Sequence, residues 1–242
     1  MKKFATIWCS PVPQDDELKP ELQNAFGGPG EQWDVLYPDS GDLLPVAANY
    51  DGFVIGGSPK SVVEDAETPL VKNLLNLIRW VRDNSSSPIV GVCFGSQALA
   101  VALGGRVDRN PGGAFKLGVD SMTWTEAADG TRWPETARPA TLAKSHGECV
   151  IELPPDSIHL ASSRTIENEI YLTHGRFLGV QGHPEVSNEA LRKLFMPSHR
   201  SLFSDEQWRV VEAESQHPLE PSSVKSLGRR LLADRALQAI EA

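Results

Sequence analysis

The sequence predicts an α/β protein built on a doubly wound, mostly parallel β-sheet that is flanked by helices and carries a small antiparallel β decoration. Up to Leu103, short apolar runs typical of buried strands alternate with amphipathic helical segments. After Gly118 the pattern changes to short β-like runs separated by Pro, Gly and Asn turns. The sequence shows no internal repeat, so residues 1–242 are expected to form one domain, with a core at about 4–195 and a helical extension at 196–242.

The first part of the chain supplies the elements of the predicted parallel sheet. The residue patterns indicate helices at Leu18–Phe26, from Pro69 to about Asn84 after an N-cap at Thr68, and from Gln97 to Leu103. Apolar runs that predict buried strands lie at Phe4–Trp8, Trp33–Tyr37, Gly52–Ile55 and Ile89–Val92. Strands and helices in this alternation are expected to give a flavodoxin-like arrangement.

The second part is expected to be antiparallel and then helical. Residues 125–139 are predicted to be an exposed loop. In the tail, Ser204 and Gln207 have the spacing of a capping box, and the helix after Ser222 has Val224, Leu227 and Leu231 on one face. Short β-like runs are predicted at Cys149–Leu153, Ile158–Ala161, Glu169–Thr173 and Phe177–Val180.

Composition excludes several classes of partner. The formal net charge of −9 argues against nucleic acid or an anionic membrane as the main partner. There is no apolar run of the ~18 residues that a membrane span needs, and the apolar segment Phe4–Cys9 is too short for a secretory signal. The three cysteines are widely spaced and odd in number, which favours a cytoplasmic, reducing compartment. No group of cysteine and histidine residues has the spacing of a complete zinc site, so we expect no metal and no cofactor.

Cys93 is the strongest candidate for a reactive residue. It occupies the centre of Gly91-Val92-Cys93-Phe94-Gly95, between an apolar strand and a helix. This has the form of a nucleophile elbow, in which the two glycines are expected to let the backbone bend sharply and present the side chain at the carboxyl edge of the sheet. The N-terminus of the following helix favours a thiolate and a developing oxyanion. The alternative is that Cys93 is a small buried apolar residue, as most free cysteines are.

His183 and Glu185 are the candidates for a base and the carboxylate that orients it. His183 follows the apolar run Phe177–Val180, and Pro184 restricts it to extended backbone, so that Glu185 lies on the same face. A carboxylate beside an imidazole fixes its tautomer and stabilises the imidazolium. Taken alone, His-Pro-Glu is also compatible with an ordinary solvated loop. The remaining histidines outside the motifs are expected to be structural or exposed: His159, His174, His199 and His217.

An oxyanion hole is predicted from two backbone N–H groups. One belongs to Phe94, directly after the candidate nucleophile, and the other to Gly57 in the Gly56-Gly57-Ser58 turn at the same sheet edge. Lys60-Ser61 does not have the spacing of a phosphate-binding loop, so that function is set aside.

Together these segments resemble the class I, triad-type glutamine amidotransferase family. That family has an early Gly-Gly loop, a Gly-x-Cys-x-Gly-His-Gln elbow, a Ser-His-Gly-Asp segment and a terminal His-Pro-Glu. The corresponding segments, in the same order over about residues 4–195, are Gly56-Gly57-Ser58-Pro59, Gly91-Val92-Cys93-Phe94-Gly95-Ser96-Gln97, Ser145-His146-Gly147-Glu148 and His183-Pro184-Glu185.

The resemblance implies a reaction and its substrate contacts. Cys93 would attack the γ-carbonyl of glutamine or of a γ-glutamyl group, giving a γ-glutamyl thioester that water hydrolyses. Gln97 and the backbone around Ser145, His146 and Gly147 would hold the α-amino and α-carboxylate groups. Within the family, these segments are most similar to the free-standing branch that includes γ-glutamyl peptidases.

Two residues depart from the family pattern. Ser96 replaces the usual His, which is not a triad member, so altered packing at the helix start is expected and not a lost reaction. Lys116 stands where a Glu often precedes an apolar-Gly pair, so substrate or partner contacts are expected to differ there.

Three functions are compatible with the sequence. The first is a stand-alone thiol hydrolase acting on glutamine or on a γ-glutamyl peptide or conjugate. The second is a glutaminase subunit that passes ammonia to a separate synthetase. The third is a non-catalytic binding module of the same fold, which the intact Cys, His and Glu set disfavours.

Overall fold

A computed structural model describes residues 1–128 and 133–237 of the chain. Parts of the predicted loop (129–132) and of the predicted extension (238–242) lie outside the described residues. Within these residues the chain forms the strands β1 (Lys3–Ile7), β2 (Gln32–Leu36), β3 (Gly52–Ile55), β4 (Ile89–Val92), β5 (Arg106–Arg109), β6 (Lys116–Trp124), β7 (Ala140–His146), β8 (Glu148–Glu152), β9 (Ser157–Ser162), β10 (Ile170–Thr173) and β11 (Phe177–Val180).

Helices connect these strands and form the carboxyl-terminal part of the chain. No helix in the described ranges combines the length and apolar character that a membrane crossing requires. The α-helices are α1 (Leu18–Phe26), α2 (Leu44–Ala47), α3 (Pro69–Asn84), α4 (Phe94–Ala102), α5 (Asn188–Ala190), α6 (Met196–His199), α7 (Asp205–Glu214) and α8 (Ser222–Asp234), and a π-helical turn joins α5 to α6 at Leu191–Phe195.

Parallel strands form one half of the main sheet. They lie in the order β2-β1-β3-β4-β11, with every neighbouring pair parallel. Because side chains alternate across a strand, the two faces carry separate apolar clusters. Ile7 and Ile55 pack in the cluster with α3 and α4, whereas Phe4 and Val54 pack in the cluster with α1 and α8. Helices therefore cover both faces of this half, and the carboxyl ends of its strands share one edge.

The other half of the main sheet is antiparallel and curls. The order continues β10-β9-β6-β7, to give nine strands among the described residues, and β5 pairs with β8 in a separate two-stranded sheet. β7, the final strand in this order, lies beside the segment just after β11, where the His183 N–H donates to the Ala143 carbonyl at 2.9 Å. The antiparallel part is thus larger than the predicted decoration, since it extends the main sheet itself.

The predicted exposed loop at 125–139 is anchored in the core where it is described. Trp133 is 1% exposed and Ala128 is 1% exposed, and both belong to the apolar cluster that includes Leu142. The prediction holds only in part: Glu126, Pro134 and residues 137–139 are exposed, whereas a few buried side chains fix the segment to the core. Its polar composition does not reveal which side chains those are.

The carboxyl-terminal helices pack on the core. The face predicted for the last helix is buried, with Val224, Leu227 and Leu231 at 0% exposure. Gly228 faces Phe26 so closely that a Cβ atom on it would lie 2.5 Å from the ring, which brings α8 against α1. The predicted capping box is present at the start of α7, where the Ser204 side chain accepts from the backbone N–H of Gln207.

Candidate active site

Cys93 lies at the turn between β4 and α4, on the shared carboxyl edge of the parallel strands. Its backbone has φ 52° and ψ −106°, a conformation that residues with a Cβ atom rarely adopt. The flanking glycines provide space. A Cβ atom on Gly91 would lie 2.5 Å from the Gly95 carbonyl, and one on Gly95 would lie 2.5 Å from the Ile55 carbonyl. The sharp bend is therefore at Cys93 itself, and the glycines let the strand and the helix approach.

His183 and Glu185 face each other across a short hydrogen bond. The imidazole Nδ1 and the carboxylate Oε1 are 2.8 Å apart. The side chains are 6% and 5% exposed, so the contact is almost entirely shielded from water. Because Nδ1 donates to the carboxylate, the opposite nitrogen, Nε2, is the one left to exchange a proton with a thiol.

The imidazole of His183 is close to Cys93. A Cβ atom on Gly57 would lie 3.1 Å from His183 Cε1 and 3.8 Å from Cys93 Cβ, so one point is near both side chains. Nε2 makes no hydrogen bond of regular geometry in the described part of the chain. Burial by itself lowers the pKa of His183, but the charges of Glu185 and Cys93 and their hydrogen bonds outweigh it and raise that pKa to about 10. An imidazolium paired with the Glu185 carboxylate is thereby favoured.

The predicted oxyanion-hole groups border the same space. Gly57 and Cys93 both line the cavity described below, and Phe94 is the first residue of α4. Neither the Gly57 N–H nor the Phe94 N–H donates a hydrogen bond to any described residue. Two such donors beside a thiol are an arrangement that can stabilise a tetrahedral oxyanion.

Gln97 is buried beside the thiol, where it orders the neighbouring polar groups. Its Nε2 donates to the Glu148 carbonyl at 2.8 Å and lies 3.3 Å from Gln181 Oε1. The Gln181 amide in turn approaches Cys93 Sγ at 3.6 Å. The sequence motifs predict no role for Gln181. Its signal was positional, because it precedes His183 by two residues in extended backbone and so shares its face.

The Ser145-His146-Gly147 segment lines the cavity next to Gln97, which is bound to the following residue, Glu148. The Ser145 carbonyl lies 3.8 Å from Cys93 Sγ, and Gly147 borders the cavity. His146 Nδ1 lies 3.0 Å from the Asn110 side-chain oxygen and 3.2 Å from the Glu148 carbonyl, so Nδ1 carries the hydrogen. Burial, followed by the charges of Lys144 and His183, lowers the pKa of His146 well below its ordinary value, which keeps the ring neutral.

The two departures from the family pattern have local explanations. Ser96 is fully buried, and its carbonyl accepts from the Tyr171 hydroxyl at 2.6 Å; the Tyr171 ring covers Gly179 next to it. A small residue at this position leaves room for that ring. Lys116 pairs with Glu214 of α7 at 2.7 Å, so its charge is held by the carboxyl-terminal part of the chain.

The other cysteines are poor candidates for a nucleophile. Burial raises the pKa of the Cys9 thiol strongly. Burial, together with the charges of Glu169, Asp108 and Glu148, raises that of Cys149 to about 11. Both thiols remain protonated at neutral pH, and a thiol is a much weaker nucleophile than a thiolate.

A cavity of about 500 Å³ opens at the sheet edge that carries Cys93. Cys93, His183 and Glu185 lie in its lining together with Gln97, Ser145, His146 and Gly147. It also takes Phe195, Ser198 and His199 from the segment after β11. His199 lines the cavity and stacks on Phe115 with ring centroids 4.8 Å apart, a contact compatible with the structural position expected for it.

Comparison with known proteins gives concordant results. The family model described as Glutamine amidotransferase class-I matches residues 21–197. Gamma-glutamyl peptidase 3 of Arabidopsis thaliana is 34% identical over 204 residues, which cover 78% of this chain and 79% of that protein. The glutamine-hydrolyzing GMP synthase of Aliivibrio fischeri is 30% identical over 157 residues, covering 64% of this chain and 27% of that protein. The structure of a glutamine amido transferase from Methylobacillus Flagellatus has the same fold, with a TM-score of 0.74 at 23% identity over 100% of this chain and 98% of that chain.

Proposed function

Since the chain belongs to the class I glutamine amidotransferase family, we propose that it hydrolyses a γ-glutamyl amide through a thioester on Cys93, without needing a synthetase partner. The substrate is a γ-glutamyl peptide or conjugate, or glutamine itself. The observation that carries this proposal is the His183 imidazole, which lies between the Glu185 carboxylate at 2.8 Å and the thiol at the elbow.

Cys93 is the nucleophile of the reaction, and His183 carries the protons. His183 holds the proton taken from the Cys93 thiol, and the resulting thiolate attacks the γ-carbonyl carbon. The resulting oxyanion is stabilised by the N–H groups of Gly57 and Phe94. The imidazolium then protonates the departing nitrogen as the carbon–nitrogen bond breaks, leaving a γ-glutamyl thioester. Neutral His183 next takes a proton from water, hydroxide adds to the thioester, and glutamate leaves as the thiol regains its proton.

The dimensions of the cavity favour a substrate larger than free glutamine. A volume of about 500 Å³ lies in the range of sites that bind drug-sized ligands. Similarity to gamma-glutamyl peptidase 3 supports the same choice. We therefore place γ-glutamyl peptides ahead of glutamine.

The test is hydrolysis by the purified protein of glutamine and of a set of γ-glutamyl dipeptides. Cys93→Ala is expected to reduce kcat by more than about three orders of magnitude, since the residual rate without a nucleophile comes only from binding and the oxyanion donors. Cys149→Ala is the matched control and is expected to retain activity. Loss of activity in Cys149→Ala with retention in Cys93→Ala would show that Cys93 is not the nucleophile.

A second function is favoured by the match to the glutamine-hydrolyzing GMP synthase, a protein of which this chain covers only 27%. As a glutaminase subunit, the chain would pass ammonia to a separate synthetase. That function predicts slow glutamine hydrolysis by the isolated chain, strong activation by a co-purifying synthetase and no preference for γ-glutamyl peptides.

A further inference from the structure

The two ends of the cavity differ in chemical character. One end is polar: Gln97 binds the Glu148 carbonyl, and the Glu148 carboxylate accepts from the Ser61 hydroxyl at 3.0 Å. The exposed pair of Arg109 and Glu64, 3.2 Å apart, continues this end toward solvent. The other end is mainly apolar and is lined by Trp8, Val12, Leu18, Leu22 and Phe195.

His183 connects the reaction to the apolar end. Its ring packs edge to face against Phe195, with centroids 5.0 Å apart and planes at 69°. The Gly56-Gly57 turn, which also faces His183, borders the same apolar residues. A Cβ atom on Gly56 would lie 3.1 Å from Leu22 and 3.6 Å from the Trp8 ring. Trp8 and Leu18 share an apolar cluster with Phe195. The imidazole therefore borders the apolar wall directly.

The direction in which a substrate lies follows from the proton transfer. The free amino and carboxylate groups of a γ-glutamyl substrate are charged and require polar partners, which the end around Gln97 and Glu148 supplies. The departing nitrogen must come within hydrogen-bond reach of His183, which donates a proton to it. The group attached to that nitrogen is thereby directed along the wall that His183 borders.

Resting on the proposed function, we infer that the apolar end is a leaving-group subsite that takes the apolar side chain of the amino acid or peptide released from the γ-glutamyl group. Asp15 is the carboxylate among the described lining residues of this end, and it accepts from the Ser10 hydroxyl. The Asp15 carboxylate disfavours a leaving group with an acidic side chain, because like charges repel. Ammonia, the leaving group of glutamine, would leave the subsite empty.

The experiment compares kcat/KM for γ-Glu-Leu and γ-Glu-Phe with that for γ-Glu-Gly, γ-Glu-Lys, γ-Glu-Glu and glutamine. The leucine and phenylalanine dipeptides are expected to exceed γ-Glu-Gly by about tenfold or more, the discrimination that a hydrophobic pocket provides. Equal or higher kcat/KM for γ-Glu-Gly or glutamine would overturn the inference. A clear preference for γ-Glu-Lys would also overturn it and would assign the subsite to a cation facing Asp15.

A pair of variants tests whether the preference among leaving groups depends on the apolar end of the cavity. Val12 lines the apolar end and is half-buried, so Val12→Asp is expected to reduce the ratio of kcat/KM for γ-Glu-Leu to that for γ-Glu-Gly by about fivefold or more. Val63 is 50% exposed and lies outside the lining, so Val63→Asp is the matched control, with an unchanged ratio. An unchanged ratio in Val12→Asp would overturn the inference.

The same data separate this inference from the proposed function. Hydrolysis that depends on Cys93 but shows no preference among leaving groups overturns the subsite alone. Absence of Cys93-dependent hydrolysis with every compound overturns the proposed function and the subsite with it.

Discussion

The backbone of Cys93 is held in a strained conformation by its surroundings. A positive φ at a residue with a Cβ atom costs about 1–3 kcal/mol and persists only where other contacts enforce it. Here the Cys93 N–H donates to the Val180 carbonyl at 2.8 Å, and Gly91 and Gly95 let three backbone segments meet. The framework therefore fixes the thiol at the sheet edge.

The strain at Cys93 predicts that a substitution which abolishes activity can increase stability. Cys93→Gly and Cys93→Ala are both expected to be inactive, and the glycine variant is expected to have the higher free energy of unfolding, by about 1 kcal/mol, since glycine adopts this φ without a Cβ clash. Urea unfolding measures the difference. Ala98→Gly, within α4, is the control and is expected to destabilise the protein. Equal stability of the two Cys93 variants would show that the turn is unstrained.

The raised pKa of His183 predicts an unusual pH dependence. With its pKa raised from 6.5 to about 10, the imidazolium persists through neutral pH and is lost only as the pH rises through about 10. The alkaline fall in kcat/KM is therefore expected near pH 10. The same proton contributes stability that is fully present below about pH 6.5 and disappears toward pH 10.

Glu185→Gln tests the origin of this shift. Removing the carboxylate removes a charge that raises the His183 pKa, so the alkaline fall is expected to move to lower pH, together with a decrease in kcat. The profile is measured with one γ-glutamyl dipeptide in both proteins. A wild-type fall near pH 6.5, or an identical profile in the variant, would contradict the assignment.

Among the elements, the curled half of the sheet is held closed by a buried ion pair. Lys144 of β7 pairs with Glu169, the residue directly before β10, and both side chains are 0% exposed. The Lys144 ammonium lies 3.1 Å from the position a Cβ atom would take on Gly182, the residue before His183. The pair therefore lies directly beneath the segment that carries the candidate base.

Breaking this pair is expected to be costly. Lys144→Met leaves the Glu169 carboxylate buried and unpaired, which is expected to lower the free energy of unfolding by about 3–5 kcal/mol. Adding Glu169→Leu is expected to restore much of that loss. Lys72→Met, which breaks the exposed pair with Glu67, is the control and is expected to leave the free energy of unfolding nearly unchanged. Urea unfolding measures the wild type, Lys144→Met, the double variant and Lys72→Met. A Lys144→Met protein as stable as Lys72→Met would contradict the stabilising role of the buried pair.

The elements differ in how much of them the sequence predicts. The structure has α1 at Leu18–Phe26 and α3 at Pro69–Asn84, the predicted bounds, because an apolar face and an N-terminal proline define a helix locally. In contrast, β7 was not predicted. Its buried positions include Lys144, which is tolerated only because β10 brings Glu169 to it. A polar residue whose partner is distant in sequence interrupts the apolar pattern of a buried strand, so that the strand is not predicted.

At the scale of the whole molecule, the candidate site is assembled from both halves of the sheet and from the carboxyl-terminal segment. The motifs identify Cys93, His183 and Glu185 because each belongs to a short pattern with its own chemistry. The roles of Phe195 and His199 could not be predicted, since they depend on how the segment after β11 folds back over the cavity. Lys116, bound to Glu214 of that same part of the chain, could be recognised only as a departure.

The most direct test of the account is to trap the covalent intermediate. The protein is mixed with γ-Glu-Leu, quenched with acid within the first turnover, digested and analysed by mass spectrometry. The predicted result is one γ-glutamyl group on the peptide that contains Cys93 and none in Cys93→Ala. A γ-glutamyl group on any other residue, or turnover that continues in Cys93→Ala, would contradict it.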